Sequence, residues 1–159
     1  MAITIRDTSP DDSEWVARAI ASEWGSPLLV SRGRLHQAEH LPGLVAERDA
    51  RPAGLLTYRI CGDELEVVSI QAFEKRCGVG KALLVAARGR AARAGCRRLW
   101  LVTTNDNLAA IAFYMAMGMS RSAVYVGSMA EARKLKPEIP AVGASGLPIE
   151  DEHEFEVLW

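Results

Sequence analysis

Two strand-then-helix pairs stand back to back in the middle of this chain, and they limit the fold more than any other feature. Glu64–Ala72 alternates apolar and polar residues and reads as a strand. Gly78–Ala94 is rich in Ala, Leu and Arg and reads as a helix closed by Gly95. Arg98–Thr104 reads as a strand buried on both faces, and Leu108–Met117 as a helix closed by Gly118. A strand–helix–strand connection of this length is a crossover, so the two strands run parallel and helices lie on their sheet.

The flanking segments read as antiparallel structure. Ala2–Arg6 alternates and forms a first strand. Ser9 can cap a helix whose first position suits Pro10. That helix runs to about Trp24, with Trp15, Ala19 and Ile20 on its apolar face and Gly25 after it. A short second helix is predicted over about Arg32–Ala38, before the break at Leu41-Pro42-Gly43. Leu44–Arg48 and Ala53–Ile60 form a hairpin around Asp49-Ala50-Arg51-Pro52, and Glu64–Ala72 continues the meander. Met119–Val126 is a strand, Ala130–Leu135 a short helix, Lys136–Ile149 a long loop, and Glu152–Leu158 a final strand. Neither a repeat nor a dividing linker is evident, so residues 1–159 are read as a single domain.

Composition narrows the function classes. A net charge of −1 and a pI near 6.3 argue against nucleic acid or an anionic membrane as the main partner. No apolar run approaches the roughly 20 residues of a membrane span. The opening MAITIRDTSPDD lacks a basic-then-apolar leader, so a cytoplasmic protein is expected. Cys61, Cys77 and Cys96 form neither a zinc pattern nor a disulfide framework. They are read as reduced thiols, buried at Cys61 and Cys96 and more exposed at Cys77. His36, His40 and His153 share no metal-ligand spacing, so no metal is expected. Trp15, Trp24, Trp100 and Trp159 read as core or interface residues. Arg88, Arg90, Arg93, Arg97 and Arg98 read as a solvated face.

The segment Lys75-Arg76-Cys77-Gly78-Val79-Gly80-Lys81 joins the first central strand to its helix. Free backbone N–H groups and the helix dipole make such a junction a phosphate nest, and glycines let a ligand come close. Two familiar versions fail. A nucleoside-triphosphate loop needs glycine at position 75 and Ser or Thr at position 82, where Lys75 and Ala82 stand. A dinucleotide fingerprint needs a third glycine where Leu83 stands.

A second motif follows the next strand. Asn107, Ala110, Tyr114 and Gly118 are spaced by three, four and four residues, near one face of a helix. The two motifs together, in this order, resemble the GNAT superfamily of acetyl-CoA-dependent N-acetyltransferases. That family carries an Arg/Gln-x-x-Gly-x-Gly/Ala pyrophosphate loop, then Asn-x-x-Ala-x-x-x-Tyr-x-x-x-Gly-Phe. Lys75 departs from the usual Arg or Gln and Met119 from the usual Phe. The ending RKLKPEIPAVGASGLPIEDEHEFE also resembles that of poorly characterised bacterial members.

The resemblance implies a mixed α/β (α+β) fold, with a mostly antiparallel sheet of six to seven strands and about four helices. It implies acetyl-CoA as co-substrate, a primary amine on a small molecule or peptide as acceptor, and direct aminolysis of the thioester. Backbone groups of Val68, Ser69 and Ile70 would pair with the pantetheine arm. Lys75, Arg76, Cys77, Gly78, Val79, Gly80 and Lys81 would hold the pyrophosphate, and Asn107 would touch the cofactor arm. Tyr114 would protonate the leaving sulfur. Glu64 and Glu66 share one strand face and are both candidates for the base: Glu66 lies nearer the sulfur, Glu64 matches the family register better. Asp151, Glu152, Glu154 and Glu156 read as a solvated edge strand or as an attractor for a cationic amine. Lys136–Ile149 would cover the acceptor site or meet a second subunit, since dimers are common in the family. Two alternatives stand beside this reading: a longer acyl-CoA donor, and a non-catalytic CoA-binding or sensor protein.

Overall fold

The computed structural model describes residues 2–75 and 77–159. Among the described residues, nine strands and four α-helices follow in the order β1 (Ile3–Asp7), α1 (Ser13–Trp24), β2 (Leu28–Ser31), β3 (Arg34–Gln37), β4 (Gly43–Arg48), β5 (Arg51–Cys61), β6 (Glu64–Ala72), α2 (Val79–Arg93), β7 (Arg98–Thr104), α3 (Leu108–Ala116), β8 (Ser120–Tyr125), α4 (Met129–Leu135) and β9 (Glu152–Leu158). Seven strands make one sheet in the order β1-β4-β5-β6-β7-β9-β8, antiparallel except where β6 meets β7. The central strands and helices therefore lie where the sequence puts them.

Two apolar layers hold the sheet. On one face, Val79, Leu83, Ala87 and Ala91 of α2 bury against Leu56, Leu65, Leu99 and Phe155, joined by Tyr114 and Phe113 of α3. On the other, Val16 and Ile20 of α1 bury against Leu29, Val45 and Leu55. Gly54 lets α2 approach β5: a Cβ there would lie 2.5 Å from Val79 and 2.6 Å from the Gln71 carbonyl oxygen. Gln71 in turn donates to the Ala19 carbonyl at 2.8 Å, fastening α1 to the end of β6.

Several expectations are corrected. Arg32–Ala38 is not a helix but the turn and second strand of the β2–β3 hairpin, followed by a 3₁₀ turn at Ala38–His40. Arg32 and Gly33 both take left-handed φ, 49° and 74°, which matches the twist of a two-residue hairpin. Asp49 and Ala50 do the same between β4 and β5, at 55° and 61°, so β5 begins at Arg51. Pro52 is accommodated beside a bulge, where β4 slips between Ala46 and Glu47. β7 is buried on one face only: Leu99 and Leu101 are inside, Trp100 and Val102 half-exposed. β9 is no edge strand, since it lies between β7 and β8. Cys61 is exposed, Cys96 buried and Cys77 exposed. Trp15 and Trp24 do pack, half-buried, on the α1-side core, whereas Trp159 is exposed. Arg98 leaves the solvated group, being bound to three carboxylates.

Gly54→Ala is expected to lower the unfolding free energy by about 1–3 kcal/mol, because α2 must lift from β5 to admit the methyl group. Urea denaturation of the variant and the parent measures the difference.

Candidate active site

The site begins as a gap. β6 and β7 pair over three positions, Glu64–Arg98, Leu65–Leu99 and Glu66–Trp100, and among the described residues no pairing continues beyond. β6 stays paired with β5 as far as Ala72, and β7 with β9 as far as Thr104. The ladder β5–β6 slips at this point: Thr57 faces Ser69 and Tyr58 faces Val67, leaving Val68 as a bulge. A bulge bends its strand and sharpens the local twist. Backbone groups of β6 past Glu66 thus border an opening instead of a neighbouring strand.

Two helices begin near the wide end of this opening. Gly78 caps α2 with φ 78°, a left-handed conformation that disfavours any side chain. The first-turn amides of Val79, Gly80 and Lys81 precede the first internal bond, which Ala82 donates to Gly78. Gly80 also permits close helix packing, since a Cβ there would stand 3.3 Å from the Phe113 ring of α3. Lys75 and Cys77 are exposed beside this turn, while Arg76 lies outside the described residues. Asn107 caps α3, its side-chain oxygen accepting from the Ala110 amide at 3.3 Å.

Tyr114 leaves α3 into the apolar layer shared with α2 and β9. It packs 5.9 Å from Phe155 and 5.5 Å from Phe113, ring centre to ring centre, and is 6% exposed. Burial, then the charge of Glu23 on α1, pushes its hydroxyl well above the ordinary tyrosine range. Among the described residues the Tyr114 hydroxyl has no hydrogen-bond partner.

The two candidate bases separate clearly. Glu66 is 2% exposed; it accepts a hydrogen bond from the Ser31 hydroxyl and pairs with Arg59 at 3.2 Å. Burial pushes its carboxyl above the ordinary value, only partly opposed by Ser31, Arg59 and Arg34. Glu64 is half-exposed and lies 2.9 Å from Arg98. Arg98 also meets Glu154 at 2.9 Å and Glu156 at 2.6 Å. Glu154 accepts further bonds from Ser122 at 2.7 Å and Tyr125 at 2.9 Å. Burial alone would raise the Glu154 carboxyl, but those donors and Arg98 hold it below the ordinary value. Glu152 is buried against Arg32, which also lies over the Tyr125 ring. The acidic run of β9 is therefore largely consumed by internal pairing, with only Asp151 at its margin, bound to the Gly127 amide.

The loop 136–149 spans from the start of β2 to the end of β7. Lys136 is buried and donates to the Leu28 carbonyl at 2.7 Å; burial lowers its amine below the ordinary lysine value. Asn105 bonds Pro148, Glu150 and Asp151, and Gly143 lies so close to Asp106 that no side chain fits. Sequence reasoning missed Ser31 and Arg34, because it did not see the β2–β3 hairpin that carries them toward Glu66, and it passed over Arg59, which the predicted meander sets directly opposite Glu66. The alternation of Leu28–Ser31 and Arg34–Gln37 around Arg32-Gly33 carried that signal. Among the described residues no three His, Cys, Asp or Glu side chains gather as a metal site, and no helix is long and apolar enough to cross a membrane.

These features meet known proteins on the same ground. Residues 9–119 match the model of the acetyltransferase (GNAT) family, and the chain belongs to that family. It is 38% identical over 136 residues to the uncharacterized protein YdhI of Bacillus subtilis (strain 168), covering 85% of each chain. Its fold matches a Bacillus subtilis acetyltransferase solved in complex with CoA, with TM-score 0.70 and 16% identity over 99% of this chain and 97% of that one. It also matches a GNAT family acetyltransferase from Elizabethkingia anophelis solved with acetyl-CoA bound, with TM-score 0.70 and 14% identity over 99% of this chain and 98% of that one.

His36 supplies a check on this arrangement. Burial, then Arg59 and Arg34, lowers its pKa from 6.5 to about 4. The unfolded chain then binds the extra proton between those values, so this group's stabilising contribution is complete above pH 6.5 and declines as pH falls toward 4. Glu66, raised in the fold, acts in the opposite sense as pH climbs. In His36→Gln the acid-side loss should become shallower, by at most about 1.4 kcal/mol per pH unit. Denaturation from pH 4 to 7 together with the His36 NMR titration measures it.

Proposed function

We propose that this chain is an N-acetyltransferase that takes acetyl-CoA as co-substrate and passes the acetyl group to a primary amine. One observation carries the reading: β6 and β7 part immediately after Glu66, and α2 starts from the loop that leaves β6 at the end of that opening. We read the buried Tyr114 of α3 as reaching the same opening. The gap suits an extended arm with amide groups, because β6 edge groups at Val68, Ser69 and Ile70 can pair with it as a strand would. The turn at Gly78–Lys81 suits a diphosphate, its free amides and helix dipole opposing the negative charge. Lys75 adds a cation beside it, and Arg76 follows it in the sequence. Asn107, already bound to its own helix start through its oxygen, keeps its amide N–H₂ free for the cofactor arm. The bound thioester supplies the activated acetyl group.

The chain's own groups handle the protons. A free alkylamine has a pKa of about 10.4, so at neutral pH it must lose a proton before attack. Glu66 fits this task better than Glu64. It is buried at the mouth of the gap with a raised pKa, whereas Glu64 serves Arg98 together with two other carboxylates. Ser31 and Arg59 fix the orientation of the Glu66 carboxylate. Tyr114 holds a phenolic proton too tightly to lose it to water near neutrality, and it can give that proton to a departing thiolate. The amine proton leaves toward Glu66, and the sulfur receives one from Tyr114. A non-catalytic CoA sensor would not require this pair.

Tyr114→Phe is expected to lower kcat by about 10²-fold or more while acetyl-CoA affinity changes less than about twofold. Stopped assays of thiol release and calorimetric titration with CoA separate the two. Glu66→Gln is expected to lower kcat/KM at neutral pH and to remove the acidic limb of the pH–rate profile. An unaltered profile would return the role to another group.

A further inference from the structure

An open cavity of about 550 Å³ lies along the free edge of β3, between that strand and the part of β5 carrying Arg59. Its wall holds two guanidiniums, Arg34 and Arg59, and no carboxylate. Arg59 spends one nitrogen on Glu66, while Arg34 has no ion pair among the described residues. Arg34 faces Ser31 across the hairpin, and Ser31 is the donor to Glu66. Counting Arg34, Arg59 and Glu66 as ionised, this corner carries one surplus positive charge. His36 adds no compensating charge: it is held neutral with a pKa near 4, and its Nε2 is buried without a partner in the cavity wall. Leu28, Leu35 and Leu41 supply the apolar part of the lining, and Gln37 and His40 complete it with polar groups.

Glu66, buried and outside the cavity's lining, lies between the cavity and the gap, joined to the cavity wall through Arg59. It stands opposite Trp100 on the last β6–β7 rung and opposite Arg59 on β5. Neighbouring strands are about 4.8 Å apart, so Arg59 lies about two strand spacings from β7. An amine delivered to Glu66 therefore has the rest of its molecule over Arg59 and Arg34. From this placement we infer that the acceptor is an amino carboxylate with an apolar body: its amine reaches Glu66, its carboxylate meets Arg34 and the free side of Arg59, and its carbon skeleton rests on the leucines. A bidentate guanidinium–carboxylate contact is the strong, geometrically specific pairing available here. The inference rests on the assignment of Glu66 in the proposed transferase.

The test is a panel of matched acceptors with purified full-length protein and acetyl-CoA: leucine against 3-methylbutylamine, phenylalanine against 2-phenylethylamine, and 6-aminohexanoate against hexylamine. Thiol release should favour the carboxylate member of at least one pair by about tenfold or more in kcat/KM. Arg34→Gln should erase most of that preference by raising KM for the carboxylate member and not for its mate. Arg34→Glu should reverse it. Calorimetric titration of the CoA-bound protein with the same six probes gives an answer independent of turnover. If CoA binds and no amine is acetylated, the transferase reading fails, while Arg34-dependent binding of the amino carboxylates still upholds a carboxylate site. Equal turnover and equal binding within every pair, or a preference that Arg34→Glu leaves intact, overturns the inference.

Discussion

The separation of β6 from β7 is the constraint on which the rest of the structure depends. Each strand is fully satisfied on its outer side, β6 by β5 and β7 by β9, so the sheet tolerates an unzipped seam in its middle. Unpaired backbone groups inside a protein are costly unless water or a ligand answers them. A seam of this kind persists because the Val68 bulge bends one side away while α2 and α3 brace the two sides from behind. The Gly80–Phe113 contact joins those braces.

Around the seam, polar chemistry is divided between pairs that close the structure and groups left with spare capacity. Arg98 gathers Glu64, Glu154 and Glu156 and so binds β6, β7 and β9 near their shared end. Arg32 fastens the β2–β3 hairpin to β9 through Glu152. Removing one member of such a buried set leaves its partner charged and desolvated, which costs more than the pair contributes. Glu66 differs in degree: it is held by one hydroxyl and one guanidinium, and its environment still disfavours the charged form. That imbalance, more than proximity alone, distinguishes it from the other carboxylates on the same face.

Most of the framework was legible in the residues, and the reasons are local. Alternation in Glu64–Ala72 and Glu152–Leu158 and the closing glycines at Gly95 and Gly118 are signals carried by each segment itself. The glycine turn and the Asn107–Tyr114 spacing were legible for the same reason. What was lost depended on partners distant in sequence. Four-residue strands such as Leu28–Ser31 carry too few alternating positions to stand out, and Arg32 in a left-handed turn gives no warning. The acidic run of β9 looked solvated because nothing local announces that Arg98 and Arg32 would meet it. Cys61 looked like core, yet it ends β5 beyond the reach of either apolar layer.

The place of β9 has a consequence for how the molecule assembles. It is the last strand in chain order, yet it slots between β7 and β8, which precede it by some fifty and thirty residues in sequence. During synthesis β7 and β8 therefore each wait with a bare edge, Arg98 with Glu64 alone and Ser122 without Glu154. Contacts closed across such separations are slow to form, and exposed strand edges invite pairing with other chains. Maturation of the seam is in this sense a late event, deferred until Glu152–Leu158 has emerged and threaded home.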